Sequence, residues 1–347
     1  MKFTLLSASV ISALALLPGA HAWGKEGHAI VATIAELHLD PTVLPTLCSI
    51  LNPSRPGGSC SLASVASWAD EIRNRMKWSG PMHYANAVAD HPPQLCLFPG
   101  AKGWEGDVNV LKGIRNTTDL LSQWVQQGSD LSDPIASEAL KFLIHFAGDM
   151  HMPFHLVGRA RGANDIFVKW GNRKVKLHGM WDGNLVDRAI ETTPSDWEQQ
   201  LGSEIEHHLH GDHYDPLIRK VLVQGINQTW AGEVQSWVQC PAASSALPRG
   251  DDQTVLQSQR EASDTDDGSV CPWHWASPIH QLTCDWVWPK QLEQPPYNDH
   301  QGPLLELDTD EYGGKITREW VVEKLLTMGG IRLASILNLI FTQQKGN

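Results

Sequence analysis

The chain has 347 residues, 41% hydrophobic and 19% charged, enough for one large hydrophobic core or two small ones. Its net charge of −12, with histidine neutral, argues against the broad basic face by which proteins usually hold polyanions. A local metal site is not excluded, because bound dications supply the positive field that the surface lacks.

The first residues read as a secretory leader, with Lys2 at the start, an apolar stretch from Leu5 to Leu17, and small residues at Ala20-His21-Ala22. Residues 1–22 are therefore expected to be removed as a signal peptide, leaving an exported, soluble chain that starts at Trp23. Beyond it no run of about 18 uninterrupted apolar residues occurs, so no membrane span is expected.

Ile30 to Leu37 opens a helical pattern that Pro41 and Pro45 punctuate at its end. Ser64 to Met76 reads as a second helix, with Ala66, Ala69 and Ile72 on one face. Val108 to Gln127 suggests one long helix or two shorter ones. Ser137 to Met150 has the clearest helical spacing, carried by Ala139, Leu140, Leu143, Ile144 and Ala147. Gly158 to Asn172 is richer in glycine and alternates through Ile166-Phe167-Val168-Lys169-Trp170, which predicts a short hairpin. Leu177 to Ile190 returns to helix, and residues 241–270 form a polar surface insertion with little apolar pattern. Trp320 to Leu339 closes the chain as an amphipathic helix interrupted near Gly329-Gly330. The sum is a mainly α protein, a single compact helical domain over 23–347 with one small β-hairpin.

Six cysteines in an exported chain suggest disulfides, with fifteen connectivities available. Cys48 and Cys60 bracket a Pro/Gly/Ser stretch and Cys240 and Cys271 bracket the polar insertion, which leaves Cys96 with Cys284. Sequons at Asn116 and Asn227 offer glycosylation sites on the same secretory route.

His145 and Asp149 lie four apart on a helix, so both side chains leave from one face. His178 and Asp182 repeat that spacing, and His155 falls between the pairs. One such pair is usually an exposed hydrogen-bonded couple. Two pairs with a further histidine point to metal, since imidazole and carboxylate are donors that suit zinc. Asp70 and His83 extend the set, and His28 lies five residues after Trp23.

At these residues the chain resembles the zinc-dependent single-strand nucleases of the S-one/P-one type. The resemblance is carried by WGKEGH at Trp23 to His28, SWADEIR at Ser67 to Arg73, HYAN at His83 to Asn86, HFAGDMHMPFH at His145 to His155, GAN at Gly162 to Asn164 and LHGMWD at Leu177 to Asp182. It implies the phospholipase C / single-strand nuclease fold and three zinc ions. Asp70, His83, His145 and Asp149 would hold the first, and His155, His178 and Asp182 the second. The amino and carbonyl groups of Trp23, the His28 ring and a second oxygen of Asp149 would hold the third. Removal of the leader would then double as activation, because a free amine donates to zinc only when deprotonated. The resemblance gives catalytic roles to Asp70 and to Arg73, a transition-state arginine, with zinc-activated water as the nucleophile. Tyr84 would stack a base. Asn86 stands where fungal relatives carry Asp, and Arg161 replaces an apolar pocket residue, so both bear on base choice. The implied substrates are single-stranded DNA and RNA and nucleotides, cut to 5′-phosphorylated products with 3′-nucleotidase activity, by a secreted monomer with no membrane partner. A zinc-dependent phospholipase C and a non-catalytic secreted zinc-binding protein are the competing expectations. The His207 to His213 tract reads as a solvated loop, and the many tryptophans as core.

Overall fold

The computed structural model describes residues 23–195, 197, 201–209, 211–241, 265–298 and 301–342. The expected leader lies outside the described residues, as do 242–264 of the polar insertion. The described residues are mainly helical and share one hydrophobic core.

Five helices of the amino-terminal half carry the frame: α1 (Lys25–Leu37), α2 (Leu44–Leu51), α3 (Trp68–Ile72), α4 (Val110–Gln126) and α5 (Pro134–Asp149). α1 begins five residues before the apolar spacing suggested, and is buried from Gly27 to Glu36, so it runs through the core. α5 starts where the Asp133 carboxylate accepts from the Ile135 amide at 2.9 Å and Pro134 occupies the first turn. α4 is one helix, capped by Asn109, whose side chain accepts from the Lys112 amide at 3.0 Å. α4 packs on α5, and both touch the terminal helix Val321–Thr342, which also covers α1.

Several expectations need correction. Pro45 does not end a helix; it sits in the first turn of α2, where a missing amide costs nothing. Ser64 to Met76 is not one helix: a 3-10 turn (Leu62–Val65) is followed by the five-residue α3, with Ser67 at ψ −2° between them. The apolar face expected there does exist, since Ala66, Ala69 and Ile72 are all buried. The terminal helix is continuous through Gly329-Gly330. A Cβ on Gly330 would lie 2.6 Å from the Cβ of Ile34, so the glycines let this helix close on α1 instead of breaking it. By length and composition this helix is apolar enough to cross a membrane, but 72% of that stretch is buried inside the protein.

β1 (Phe167–Trp170) pairs antiparallel with β2 (Arg173–Lys176) through Gly171 and Asn172, both at positive φ, as a two-residue hairpin turn requires. Helical structure resumes as Leu177–Gly179, a wide turn at Met180–Asn184, and Leu185–Glu191. The disulfides join Cys48 to Cys60, Cys96 to Cys284 and Cys240 to Cys271, the expected pairs. The histidine tract is in part helical rather than a loop, over Ser203–His208, and His208 contacts the buried Glu36 at 3.2 Å.

Candidate metal centre

Separate elements deliver donors to one buried place. His28 comes from α1, Asp70 from α3, His83 from the end of the 3-10 turn Lys77–His83, His145 and Asp149 from α5, and His155 from the turn Pro153–Leu156. His178 and Asp182 follow the hairpin, with the wide turn falling at Asp182. All but Asp70, which is half-buried, are buried. Trp23 is also fully buried; the next amide, Gly24, donates to the carbonyl of Asp182 at 2.6 Å. The start of α1 is thereby tied to the Asp182 turn.

Asp149 is the centre of the cluster. Its Oδ2 lies 3.0 Å from His83 Nδ1 and 3.4 Å from His145 Nε2, whereas its Oδ1 lies 3.4 Å from His28 Nε2 and 3.7 Å from His155 Nδ1. Asp70 Oδ1 lies 3.6 Å from His83 and 3.7 Å from His145. His178 Nε2 meets Asp182 Oδ2 at 3.1 Å. Three groups each gather donor atoms within 4.8 Å of one another: His28, Asp70 and His145; His83, His145 and Asp149; His155, His178 and Asp182.

Backbone carbonyls set the ring tautomers. His145 Nδ1 donates to Ala66 O at 2.7 Å, His155 Nδ1 to His83 O at 2.5 Å, and His178 Nδ1 to Gly162 O at 2.5 Å. Each bond fixes the proton on Nδ1 and leaves the Nε2 lone pair for the cluster. Sequence reasoning missed these supports. The only trace of one was the glycine of the GAN motif. Ala160 to Ala163 all have positive φ, and a Cβ on Gly162 would meet Phe154 O at 2.6 Å, so this backbone strain serves to present the Gly162 carbonyl.

Electrostatics favour neutral His145 and His155 beside an ionised Asp149. Burial pushes His145 down to about 4 and His155 down to about 3. Burial would raise Asp149, but His145 and His155 beside it hold the carboxyl well below the usual carboxylate range. Burial raises Asp182, and Asp182 in turn outweighs burial at His178 and raises that ring. The protein itself leaves both oxygens of Asp149 and of Asp182, both ring nitrogens of His28, and Nε2 of His83 and His155 buried without a hydrogen-bond partner. Unpartnered buried polar atoms are costly, and the carboxylate oxygens of Asp149 and Asp182, set among these imidazoles, fit bound cations.

After His83 the chain runs extended. His83, Ala85 and Ala87 are buried and alternate with half-buried Tyr84 and Asn86, so the last two share the less buried face. Arg73 is half-buried beside Gly80, and no carboxylate pairs with it among the described residues. Arg161 points to solvent, its side chain 80% exposed and 3.4 Å from Asp165.

Two other clusters do not join the centre. His151 donates to Ala147 O at 2.6 Å and accepts from Arg332 at 2.8 Å. Asp90 and His280 form a buried pair at 3.1 Å near Cys96, whose sulfur is committed to its disulfide. Trp181 is fully buried, and Trp68, Trp104 and Trp170 are partly buried against the core.

A mainly helical, disulfide-tied fold closed on buried imidazoles and carboxylates defines a class of protein whose donor set fits several divalent cations. The particular family follows from comparison. The family model described as S1/P1 Nuclease matches residues 23–342, and the chain belongs to that family. Endonuclease 2 of Arabidopsis thaliana is 31% identical over 330 residues, covering 93% of this chain and 92% of that protein. Nuclease P1 of Penicillium citrinum is 31% identical over 245 residues, covering 66% and 86%. Nuclease S1 of Aspergillus oryzae is 32% identical over 181 residues, covering 51% and 58%. The chain is accordingly a hydrolytic nuclease.

Proposed function

We propose that this nuclease is a secreted, zinc-dependent endonuclease that hydrolyses single-stranded DNA and RNA to 5′-phosphorylated products and also dephosphorylates 3′-nucleotides. The observation that carries the reading is the convergence of unpartnered buried donor atoms on Asp149, whose two oxygens face different imidazoles. Asp70, His83, His145 and Asp149 would hold one zinc ion, and His155, His178 and Asp182 a second. Trp23, through its amino and carbonyl groups once residues 1–22 are removed, would hold the third with His28 and Asp149. When bound, zinc supplies Lewis acidity toward phosphoryl oxygens and a water of lowered pKa.

The remaining work falls to the chain's own groups. Asp70, facing His83 and His145 at the edge of the cluster, accepts a hydrogen bond from the attacking water. Arg73, which no carboxylate pairs among the described residues, binds two phosphate oxygens and stabilises the charge that grows on them. Tyr84 stacks on a splayed base, which selects single strands, and the Asn86 amide offers that base both a donor and an acceptor. Arg161, exposed beside Asp165, reaches the substrate only outside the base pocket. Asn116 and Asn227 are both exposed and carry glycans in the secreted form.

The test is incubation of the mature protein with single-stranded DNA, RNA and short-chain phosphatidylcholine, with and without a chelator. Nucleotide release that the chelator abolishes is expected. Phosphocholine release without nucleotides, or nucleolysis that survives the chelator, would overturn the reading.

A further inference from the structure

The β1–β2 hairpin is a local exception to the acidity of this chain. Between residues 159 and 176 stand Arg159, Arg161, Lys169, Arg173, Lys174 and Lys176 against a single acid, Asp165, in a protein of net charge −12. The register sets Phe167 opposite Lys176 and Lys169 opposite Lys174, so these four share one face while Val168, Trp170 and Val175 take the other. Lys174 and Lys176 are exposed, Phe167 is 42% exposed, and the Lys174 ammonium sits 4.3 Å from the Phe167 ring. Like charges directly opposite one another destabilise a strand pair. Among the described residues no carboxylate pairs with Lys169, Lys174 or Lys176 to offset this. Of the nearby acids, Asp165 pairs with Arg161 and Asp308 with Arg188, while Glu306 lies beside Lys169 across a parallel bridge and accepts from the amides of Gly171 and Asn172.

The hairpin is also joined to the metal centre at its base. The Leu177 amide donates to Ile166 O at 2.9 Å, and the next residue is His178, whose ring is held by the Gly162 carbonyl ahead of the hairpin. We propose that the Phe167–Lys169–Lys174–Lys176 face is a docking stripe for the backbone of a nucleic-acid strand running to the metal centre. The lysines meet phosphates, and the Phe167 ring lies against a base. The stripe is roughly 7 Å long at strand spacing, and ring stacking requires an unpaired base, so its occupant is a single strand. The inference rests on the nucleolytic reading above and deepens it.

The test reads binding apart from catalysis. Chelator-stripped protein is titrated with a fluorescent oligothymidylate of about 20 nucleotides over a range of salt. In Lys174→Glu/Lys176→Glu, Kd should rise at least about tenfold, and the slope of log Kd against log salt should shrink by about 1.4, since each phosphate left without its lysine removes ~0.7. The Lys174→Gln/Lys176→Gln version should move the same way without added repulsion. Lys174→Arg/Lys176→Arg should bind as wild type, and so should Lys102→Glu, which reverses an exposed lysine elsewhere. Equal affinity and slope for the Glu and Gln versions and wild type, or no binding by wild type, would overturn the proposal. With metal restored, the loss in kcat/KM should be at least about fivefold larger on the oligonucleotide than on a dinucleoside phosphate. Hydrolysis of neither substrate by wild type would instead sink the nucleolytic reading, and the binding data would still decide the stripe.

Discussion

The imidazole of His28 lies flat on that of His145, ring centroids 3.9 Å apart and planes within 11°. Gly148 makes this stack possible, because a Cβ there would lie 2.5 Å from His28 Nδ1, inside any allowed contact. α1 is thus brought onto α5 at the one residue that adds no side chain.

Gly148→Ala should therefore push His28 out of the cluster. We expect a stability loss of about 1–3 kcal/mol from overpacking, and loss of the metal equivalent that depends on His28. Metal content by mass spectrometry and chemical denaturation check both. A variant with full metal content and unaltered stability would show that the stack is dispensable.

Acid should act on the metal-free protein through His145 and His155. Both are buried and held at about 4 and about 3, below the usual histidine value of roughly 6.5. The unfolded chain therefore takes up protons first as pH falls, and stability is lost between about 6.5 and those lower values. His178 works the other way, since its raised affinity for a proton adds stability at low pH that is lost as pH rises. Two depressed rings outweigh one raised, so the chelated protein should lose several kcal/mol from pH 7 to pH 4. Metal should lift the whole curve at neutral pH and dissociate as the same rings protonate. Thermal melts across pH, with and without chelator, read this. A flat profile for the chelated protein would contradict the buried, neutral assignment.

The donor types were legible because they sit at short-range spacings. His145 with Asp149 and His178 with Asp182 repeat a four-residue interval, and a helix turns such an interval into a shared face. The hairpin and the Cys48–Cys60 loop were legible for the same local reason, whereas Cys96–Cys284, 188 residues apart, followed only as the pair left over. What supports the donors was not. Ala66 lies 79 residues from the His145 ring it holds, and His83 72 residues from His155, and no periodicity records such a contact. Gly329-Gly330 misled for the same reason: a glycine pair reads locally as a helix break, and only the partner Ile34 shows it to be a packing surface. Net charge also hid the basic hairpin, since a sum over the chain averages away one face.

Gly162→Ala tests the supports. The position has φ +63°, and the new methyl group would meet Phe154 O at 2.6 Å. The left-handed conformation alone costs roughly 1–2 kcal/mol for a residue with a Cβ, and the clash adds to it. The Gly162 carbonyl should move off His178, weakening metal at the His155, His178 and Asp182 group by about 10- to 100-fold. Competition with a chromogenic chelator measures this. Unchanged affinity with the expected loss of stability would mean that the carbonyl does not orient the ring.

The proposed start of the mature chain at Trp23 offers another test. Trp23 is fully buried, its Cβ would lie 2.7 Å from a Cβ on Gly27, and the Gly24 amide is bound to Asp182. A form that keeps Ala22 ahead of Trp23 converts the amine into an amide, which cannot serve as a neutral amine donor. Activity should fall by more than about tenfold together with one metal equivalent, while the fold persists. Full activity and metal content in the extended form would sink the assignment of Trp23 as a ligand.

Arg73 separates binding from catalysis. It follows Asp70 by three residues, stands half-buried beside Gly80, and has no carboxylate to neutralise it among the described residues. If its guanidinium stabilises charge that appears only as the phosphodiester breaks, Arg73→Ala should lower kcat by about 10²–10³ with a small change in KM. Arg73→Lys should recover only part of this, because an ammonium cannot bind two oxygens in one plane. Metal content and melting temperature should match wild type in both variants, since Arg73 holds neither a metal donor nor, among the described residues, a salt bridge. A rise in KM at constant kcat would instead place Arg73 in ground-state binding, and full rescue by lysine would mean that only its charge matters.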